Sequence, residues 1–251
     1  MKKIILILLI LSGSIFGFDF KSIHAKYEVK YGYVGKIAEV DSTIDIDGST
    51  YKINIDIKSK GIVGYFSSDR REVYKSTGIV SNGVLIPTLF VKTRSWGERE
   101  EKKRYFFKHK EKTVSVLRTS KSDFKTTEDS STLSYYSKND ILTLFFNLNK
   151  LLGDDLAPAK KTILKAVGAN KNDGHLSVKY PNESIKKRIK RLLKKDDNIL
   201  IVTLDKKIFS SRKGEFYINI NKDHVCDSAV LKDVFMTGDL VGKIKKLEVI
   251  R

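Results

Sequence analysis

Metal ligation, nucleophilic attack and acid–base catalysis each demand particular residue types within reach of one another. This chain of 251 residues carries 4 histidines and 1 cysteine. His24, His109, His175 and His224 are too far apart in sequence to set two imidazoles on one face of a helix. His224 and Cys226 share a side of an expected strand, yet a metal site there needs a third and a fourth ligand from elsewhere in the fold. Cys226 reads instead as a small buried apolar residue, the setting in which a lone thiol survives an oxidising compartment. Asp154-Asp155 and Asp196-Asp197 are carboxylate pairs by sequence. Adjacent Asp residues commonly stop helices and make turns, whereas glycosidase-type pairs converge across a cleft. There is no Gly-x-Ser-x-Gly elbow, no phosphate-cradling glycine loop and no dinucleotide fingerprint. The sequence therefore assigns no catalytic residue, no metal ligand and no cofactor, and the expected protein is not an enzyme.

Basic residues carry the sharper signal. After Pro181-Asn182 the spacing predicts a helix over 183–195, with Ile185, Ile189, Leu192 and Leu193 along one stripe. Lys186, Lys187, Arg188, Lys190, Arg191, Lys194 and Lys195 surround that stripe. Such a helix can lie on an anionic membrane surface, each nearby cation contributing on the order of 1 kcal/mol. It can equally pack its stripe on a sheet and leave its lysines in water. The two readings differ in whether the stripe is buried. Around Trp96, the run Arg94, Glu98, Arg99, Glu100, Glu101, Lys102, Lys103 and Arg104 describes a charged hairpin tip. The acids offset the bases, which favours a solvated turn over a nucleic-acid or sugar site.

The elements that hold these residues are mostly strands. Apolar and polar residues alternate with period 2 from Ala25 to about Thr119. Ile44, Ile46, Ile53, Ile55 and Ile57 alternate with charged and polar neighbours on either side of Asp47-Gly48-Ser49, a hairpin signature that Asn82-Gly83 repeats. Further strands are expected at 27–34, 36–46, 71–77, 88–96, 102–109 and 113–118, with Pro87 at an edge, a bulge or a strand end. Ser120–Ser131 reads as a loop or an exposed hairpin end. A helix is expected over 139–152, announced by Ser137 and Asp140 as a capping arrangement. Ile141, Leu144, Phe145, Leu148 and Leu152 line one face of it and Leu142, Phe146 and Leu151 a second, so it should be buried. Leu156–Gly174 reads as a connector. Strands return at Asn198–Leu204, Glu215–Ile220, Cys226–Met236 and Leu240–Ile250. The expected fold is mainly β: a single curved antiparallel sheet or partly open β-barrel, with a buried helix against its concave face.

The N-terminus reads as an export signal: Lys2-Lys3, the apolar run Ile4 to Leu11, then small residues up to Gly17. An apolar run this short falls well below the roughly 20 residues of a membrane-spanning helix. Cleavage near Gly17 would leave residues 18–251 as one β-rich domain in the periplasm, with no transmembrane segment. Loss of Lys2 and Lys3 lowers the net charge only from +18 to +16. Outside the cytoplasm nucleic acid is scarce, so the expected anionic partner is a lipid or another envelope component.

Tyr27-Glu28-Val29-Lys30-Tyr31-Gly32-Tyr33-Val34-Gly35-Lys36-Ile37-Ala38, Ser59-Lys60-Gly61-Ile62-Val63-Gly64-Tyr65-Phe66, Leu85-Ile86-Pro87-Thr88-Leu89-Phe90 and Asp140-Ile141-Leu142-Thr143-Leu144-Phe145-Phe146 resemble segments of the bacterial envelope family called domain of unknown function 3108. That resemblance implies an exported antiparallel β protein with a strongly curved sheet, and brings no catalytic residues. The basic helix departs from the family pattern. Three function classes follow. The first binds an apolar or amphiphilic, lipid-like envelope ligand under a lid of Leu142, Phe145, Phe146 and Leu148, with the basic helix toward anionic headgroups. The second is a scaffold for envelope machinery without a ligand, and the third an enzyme acting on an envelope polymer.

Overall fold

Alternating side chains and two-residue turns build the N-terminal half as a meander. β1 (Ser22–Tyr31), β2 (Gly35–Asp47) and β3 (Thr50–Ser59) lead through the short helix α1 (Gly61–Phe66) to β4 (Arg71–Ser81) and β5 (Val84–Trp96). β6 (Arg99–Lys108), β7 (Thr113–Ser122) and β8 (Lys125–Thr132) complete it. The short helices α2 (Ile141–Phe146) and α3 (Leu148–Leu152) follow, then β9 (Lys161–Lys165), β10 (His175–Lys179) and α4 (Glu183–Leu193). β11 (Asn198–Thr203), β12 (Glu215–Ile220), β13 (Cys226–Val234) and β14 (Gly238–Ile250) end the chain. This computed structural model describes residues 18–152, 160–170, 172–194, 198–204, 214–221, 225–234 and 238–251. The expected signal segment 1–17, both Asp-Asp pairs, Lys195 and His224 lie outside the described residues.

The strands form one antiparallel sheet of 14, ordered β8-β7-β6-β5-β4-β3-β2-β1-β14-β13-β12-β11-β10-β9. It does not close into a barrel, and most of the described residues lie in strands. Two meanders meet where β14 returns to pair with β1, from Ser22 opposite Ile250 to Tyr31 opposite Leu240. Asn82 and Gly83 both take positive φ between paired Ser81 and Val84, the tight turn whose twist matches the strands it joins. Pro87 sits opposite Gly78 where the register slips, and beyond Leu89, the last β5 partner of β6. Its missing N–H therefore costs no bond to β6. A side chain on Gly78 would bring a Cβ within 2.0 Å of the Ile86 carbonyl oxygen, so the close approach requires glycine.

Each half of the sheet buries its inner face against α2 and α3. Leu142 joins Ile23, Ile44, Tyr51, Ile53, Phe90 and Phe107 under the N-terminal meander. Leu144, Leu148 and Leu152 join Leu176, Val178, Leu200 and Ile218 under the C-terminal one. Alternation along β11 sends Ile199 and Ile201 to the opposite face, where α4 covers them with Ile189 and Leu193.

Two local expectations change. The helix starts at Ile141 and is interrupted at Asn147, and its N-cap is Asp140, not Ser137. Ser137 instead donates its hydroxyl to the Lys165 carbonyl and accepts from Asn139 N. Part of the expected connector is strand β9, paired with a β10 that lacks any clear alternation. Of the two readings of Ser120–Ser131, the exposed hairpin end holds: the segment is mostly the β7–β8 hairpin, every residue of β8 being exposed.

Candidate functional site

A buried polar network seats α2 on the sheet. Asp140 Oδ1 accepts from Leu142 N and Thr143 N, and the Thr143 hydroxyl accepts in turn from Asp140 N, a reciprocal capping box. Asp140 Oδ2 accepts from Ser76 Oγ at 2.6 Å, and that hydroxyl lies 2.9 Å from Tyr51 Oη. Asn147 acts as a strand partner would: its side chain accepts from Leu85 N and donates to Leu85 O, both at 2.9 Å. It also donates to Asn139 Oδ1. Val167 closes the seat from the other side, donating to Asn139 O and accepting from Ile141 N. Burial of polar groups is tolerated because nearly all are paired.

Beyond this seat the inner face of the N-terminal meander changes character, and the register fixes how. Ile44, Ile53, Ser76, Phe90, Tyr105 and Val116 stand opposite one another in one row across β2–β7. Two residues along, the row reads Ser42, Ile55, Tyr74, Lys92, Lys103 and Arg118, and ends at Asp129 on β8. Two further, it reads Val40, Ile57, Glu72, Arg94, Glu101 and Ser120. The face is thus apolar on β1–β3 and charged on β4–β7, with rows about 7 Å apart.

Glu72 organises the charged end. Tyr74 Oη donates to its Oε2 at 2.5 Å and Arg70 Nε to its Oε1 at 3.0 Å. Lys92 Nζ lies 3.9 Å and Arg94 Nε 3.5 Å away. Burial alone would raise the Glu72 carboxyl, but the bonds from Tyr74 and Arg70 and the nearby Lys92 hold it below the usual carboxylate range. Lys92 packs its ammonium over the Tyr74 ring, 4.9 Å from the centroid. Burial lowers the Lys92 pKa against the pull of Glu72, and Arg94, Lys103 and Arg70 lower it further. Arg94 Nε is buried with no hydrogen-bond partner among the described residues, and its Nη1 lies 3.9 Å from Glu101 Oε2. The arrangement can hold an anion.

The four expected lid residues are divided between two packing clusters. Leu142 and Leu148 are buried in separate clusters. Phe145 and Phe146 are half-buried, edge to face at 5.4 Å, and pack toward different halves of the sheet. Open concavities of about 580 and 820 Å³ mark the outer face of β3–β6 and the β1/β13/β14 surface, and none of the four lines either. On α4, Lys187, Arg188, Arg191 and Lys194 are exposed and Lys186 and Lys190 half-buried. Cys226 is half-buried, its thiol pushed up to about 12 by burial and by the adjacent Asp227. No three His, Cys, Asp or Glu residues cluster as metal ligands among the described residues. No described helix is long and apolar enough to cross a membrane.

Arg94, Glu101 and Lys103 are the part of the charged rows that sequence reasoning noticed, as a solvated hairpin tip. Glu72, Tyr74, Lys92 and Arg118 escaped it. Their signal is parity: Lys92 and Arg94 fall in step with Phe90, Lys103 with Tyr105 and Arg118 with Val116, so all point to the core side.

An open antiparallel sheet wrapped on a capped internal helix, with a cation-rich continuation of its inner face, defines a single-sheet β protein with an internal helical plug. The chain belongs to the family described as protein of unknown function (DUF3108), whose model matches residues 26–232. No curated protein and no solved structure matches the chain.

Proposed function

We propose that the protein is an exported, non-catalytic binding protein of the cell envelope that holds an anionic amphiphile on the inner face of β1–β7. One observation supports this above the others: the inner face passes from Val40, Ile55 and Ile57 to Lys92, Lys103 and Arg118 within two adjoining rows. An apolar tail and a charged head have separate places there, and ligand sites combine apolar lining with a few placed polar groups in this way. The half-exposed state of Val40, Ile55 and Ile57 leaves apolar surface for a tail to cover. The outward cations of α4 would bring such a carrier to anionic headgroups, with export set by residues 1–17.

Native mass spectrometry of protein purified gently from its own envelope, followed by organic extraction, tests the reading. An amphiphile at near one-to-one occupancy is expected. A protein that arrives empty, in detergent-free buffer, would overturn it in favour of a ligand-free scaffold.

A further inference from the structure

We propose that β8 is the seam of a symmetric dimer, in which it pairs antiparallel with β8 of a second copy about a two-fold axis at Thr127. The seam needs no ligand and stands apart from the amphiphile reading. β8 lies at one end of the strand order, with β7 on one side and no described strand on the other. All 8 of its residues are exposed, and its ladder with β7 runs from Ser122 opposite Lys125 to Ser115 opposite Thr132 without a bulge. Edge strands are blunted by proline, bulges or charge. β8 carries only charge, in Lys125, Glu128 and Asp129.

The backbone limits how a second copy can add. Successive residues of an antiparallel strand turn their N–H and C=O groups to alternate neighbours. Leu133 N donates to Val114 O, so odd-numbered residues face β7, and Thr126, Glu128, Ser130 and Thr132 turn theirs to the open edge. Only registers that set these even-numbered residues against one another close hydrogen bonds, and the two-fold axis then passes through a residue. Charge chooses among them. At Lys125, Glu128 or Asp129 the axis sets a charge against its own copy, and at Thr126 it sets Asp129 against Asp123. Beyond Asp129 the shared ladder shortens and no ion pair forms. At Thr127 the axis sets Lys125 opposite Asp129 of the second copy, twice by symmetry, with Thr126 opposite Glu128 and Thr127 opposite itself. Opposite charges and paired threonines directly across a ladder stabilise it, and like charges destabilise it.

Within one copy Asp129 stands opposite Arg118, and Glu128 Oε2 accepts from the Thr119 hydroxyl at 3.4 Å. In the dimer Asp129 therefore lies between two cations, Arg118 and Lys125 of the second copy. Asp123, in the β7–β8 turn, faces Ser131 of that copy. Phe124 points the same way. Its ring is 100% exposed at the hairpin tip, and the same register brings it beside Ser130 of the second copy. Ser130 stands opposite the half-buried Leu117 on β7, so the ring gains a small residue to cover and an apolar one within reach.

One strand ladder is a small interface, which sets the Kd at roughly 10 μM to 1 mM. Sedimentation velocity of the purified protein from about 1 μM to 1 mM, in about 0.15 M salt to screen the positive charge of each copy, should show a reversible shift from monomer to dimer. Glu128→Pro removes an N–H that faces only the open edge. It should leave the circular dichroism unchanged and weaken association at least tenfold. Thr127→Cys should crosslink to itself under mild oxidation, because facing residues of a non-hydrogen-bonded pair lie about 4.5 Å apart at Cα, within disulfide reach. Thr126→Cys, opposite Glu128 of the second copy, and wild type, with Cys226 alone, should not crosslink. A protein that stays monomeric throughout overturns the seam. So does a dimer whose affinity survives Glu128→Pro, or one in which Thr127→Cys crosslinks no faster than Thr126→Cys. If Glu128→Pro fails to fold, the two cysteine variants, both at exposed positions, decide the matter by the same comparison.

Discussion

Asp140 anchors α2 at an electrostatic cost. Its carboxyl is 0% exposed. Burial pushes it up to about 6 against the opposing hydrogen bonds from Ser76, Thr143 and Leu142. An aspartate in the unfolded chain titrates near 4, so the folded protein holds this proton more tightly. The contribution to stability is therefore fully present below about pH 4, declines as pH rises through about 6, and stays lost above that. A shift of about two units corresponds to on the order of 3 kcal/mol. Asp140→Asn keeps an acceptor for the backbone amides of Leu142 and Thr143 and cannot titrate. Urea denaturation at intervals from pH 4 to 7 should show wild type losing stability relative to Asp140→Asn across that window. Parallel curves for the two proteins would place the titration on another group and deny Asp140 its raised pKa.

At the scale of elements, α4 shows how energy decides between two uses of one amphipathic pattern. Ile189 is 0% and Leu193 1% exposed, packed on Ile199, Ile201, Tyr217 and Val230. Burial of two such side chains is worth roughly 3–6 kcal/mol, which insertion of the stripe into a bilayer would forfeit. Any attraction to a membrane must then be electrostatic, through the outward cations. Lys187→Glu, Arg191→Glu and Lys194→Glu together should leave the circular dichroism unchanged and abolish sedimentation with phosphatidylglycerol vesicles at low salt. Persistent sedimentation would locate the contact elsewhere. The helix was legible because its 3.6-residue period lies within one short segment after Pro181-Asn182, and Asn182 proves to be its N-cap. The break at Asn147 was not, because its cause is Leu85 on a distant strand. β9 and β10 were hidden for a related reason: Leu176, Ser177 and Val178 are buried in succession, so the strand lacks period-2 contrast. Parity with Phe90, Tyr105 and Val116 marks the face of each cation, but that Lys92, Lys103 and Arg118 stand side by side follows only from the strand register.

For the whole molecule, the question is whether two meanders behave as one folding unit. They share the β1–β14 ladder and the α2–α3 plug, whose consecutive leucines serve both sides: Leu142 packs under β1–β7, and Leu144 under β10–β12. Ile141 packs against both clusters. A defect at one leucine should therefore be felt across the sheet. Deleting a buried leucine side chain to alanine commonly costs 2–5 kcal/mol, on the order of a third of a typical domain's stability. Trp96 reports on β5 in the N-terminal meander alone, whereas far-ultraviolet circular dichroism averages over all 14 strands. Coincident urea transitions by the two probes are the mark of a cooperative unit. Wild type should give coincident midpoints, and Leu144→Ala, which opens a cavity on the C-terminal side, should lower both together. If Leu144→Ala shifts only the dichroism and leaves the Trp96 transition in place, the plug does not couple the halves, and the chain folds as two units joined along β1 and β14.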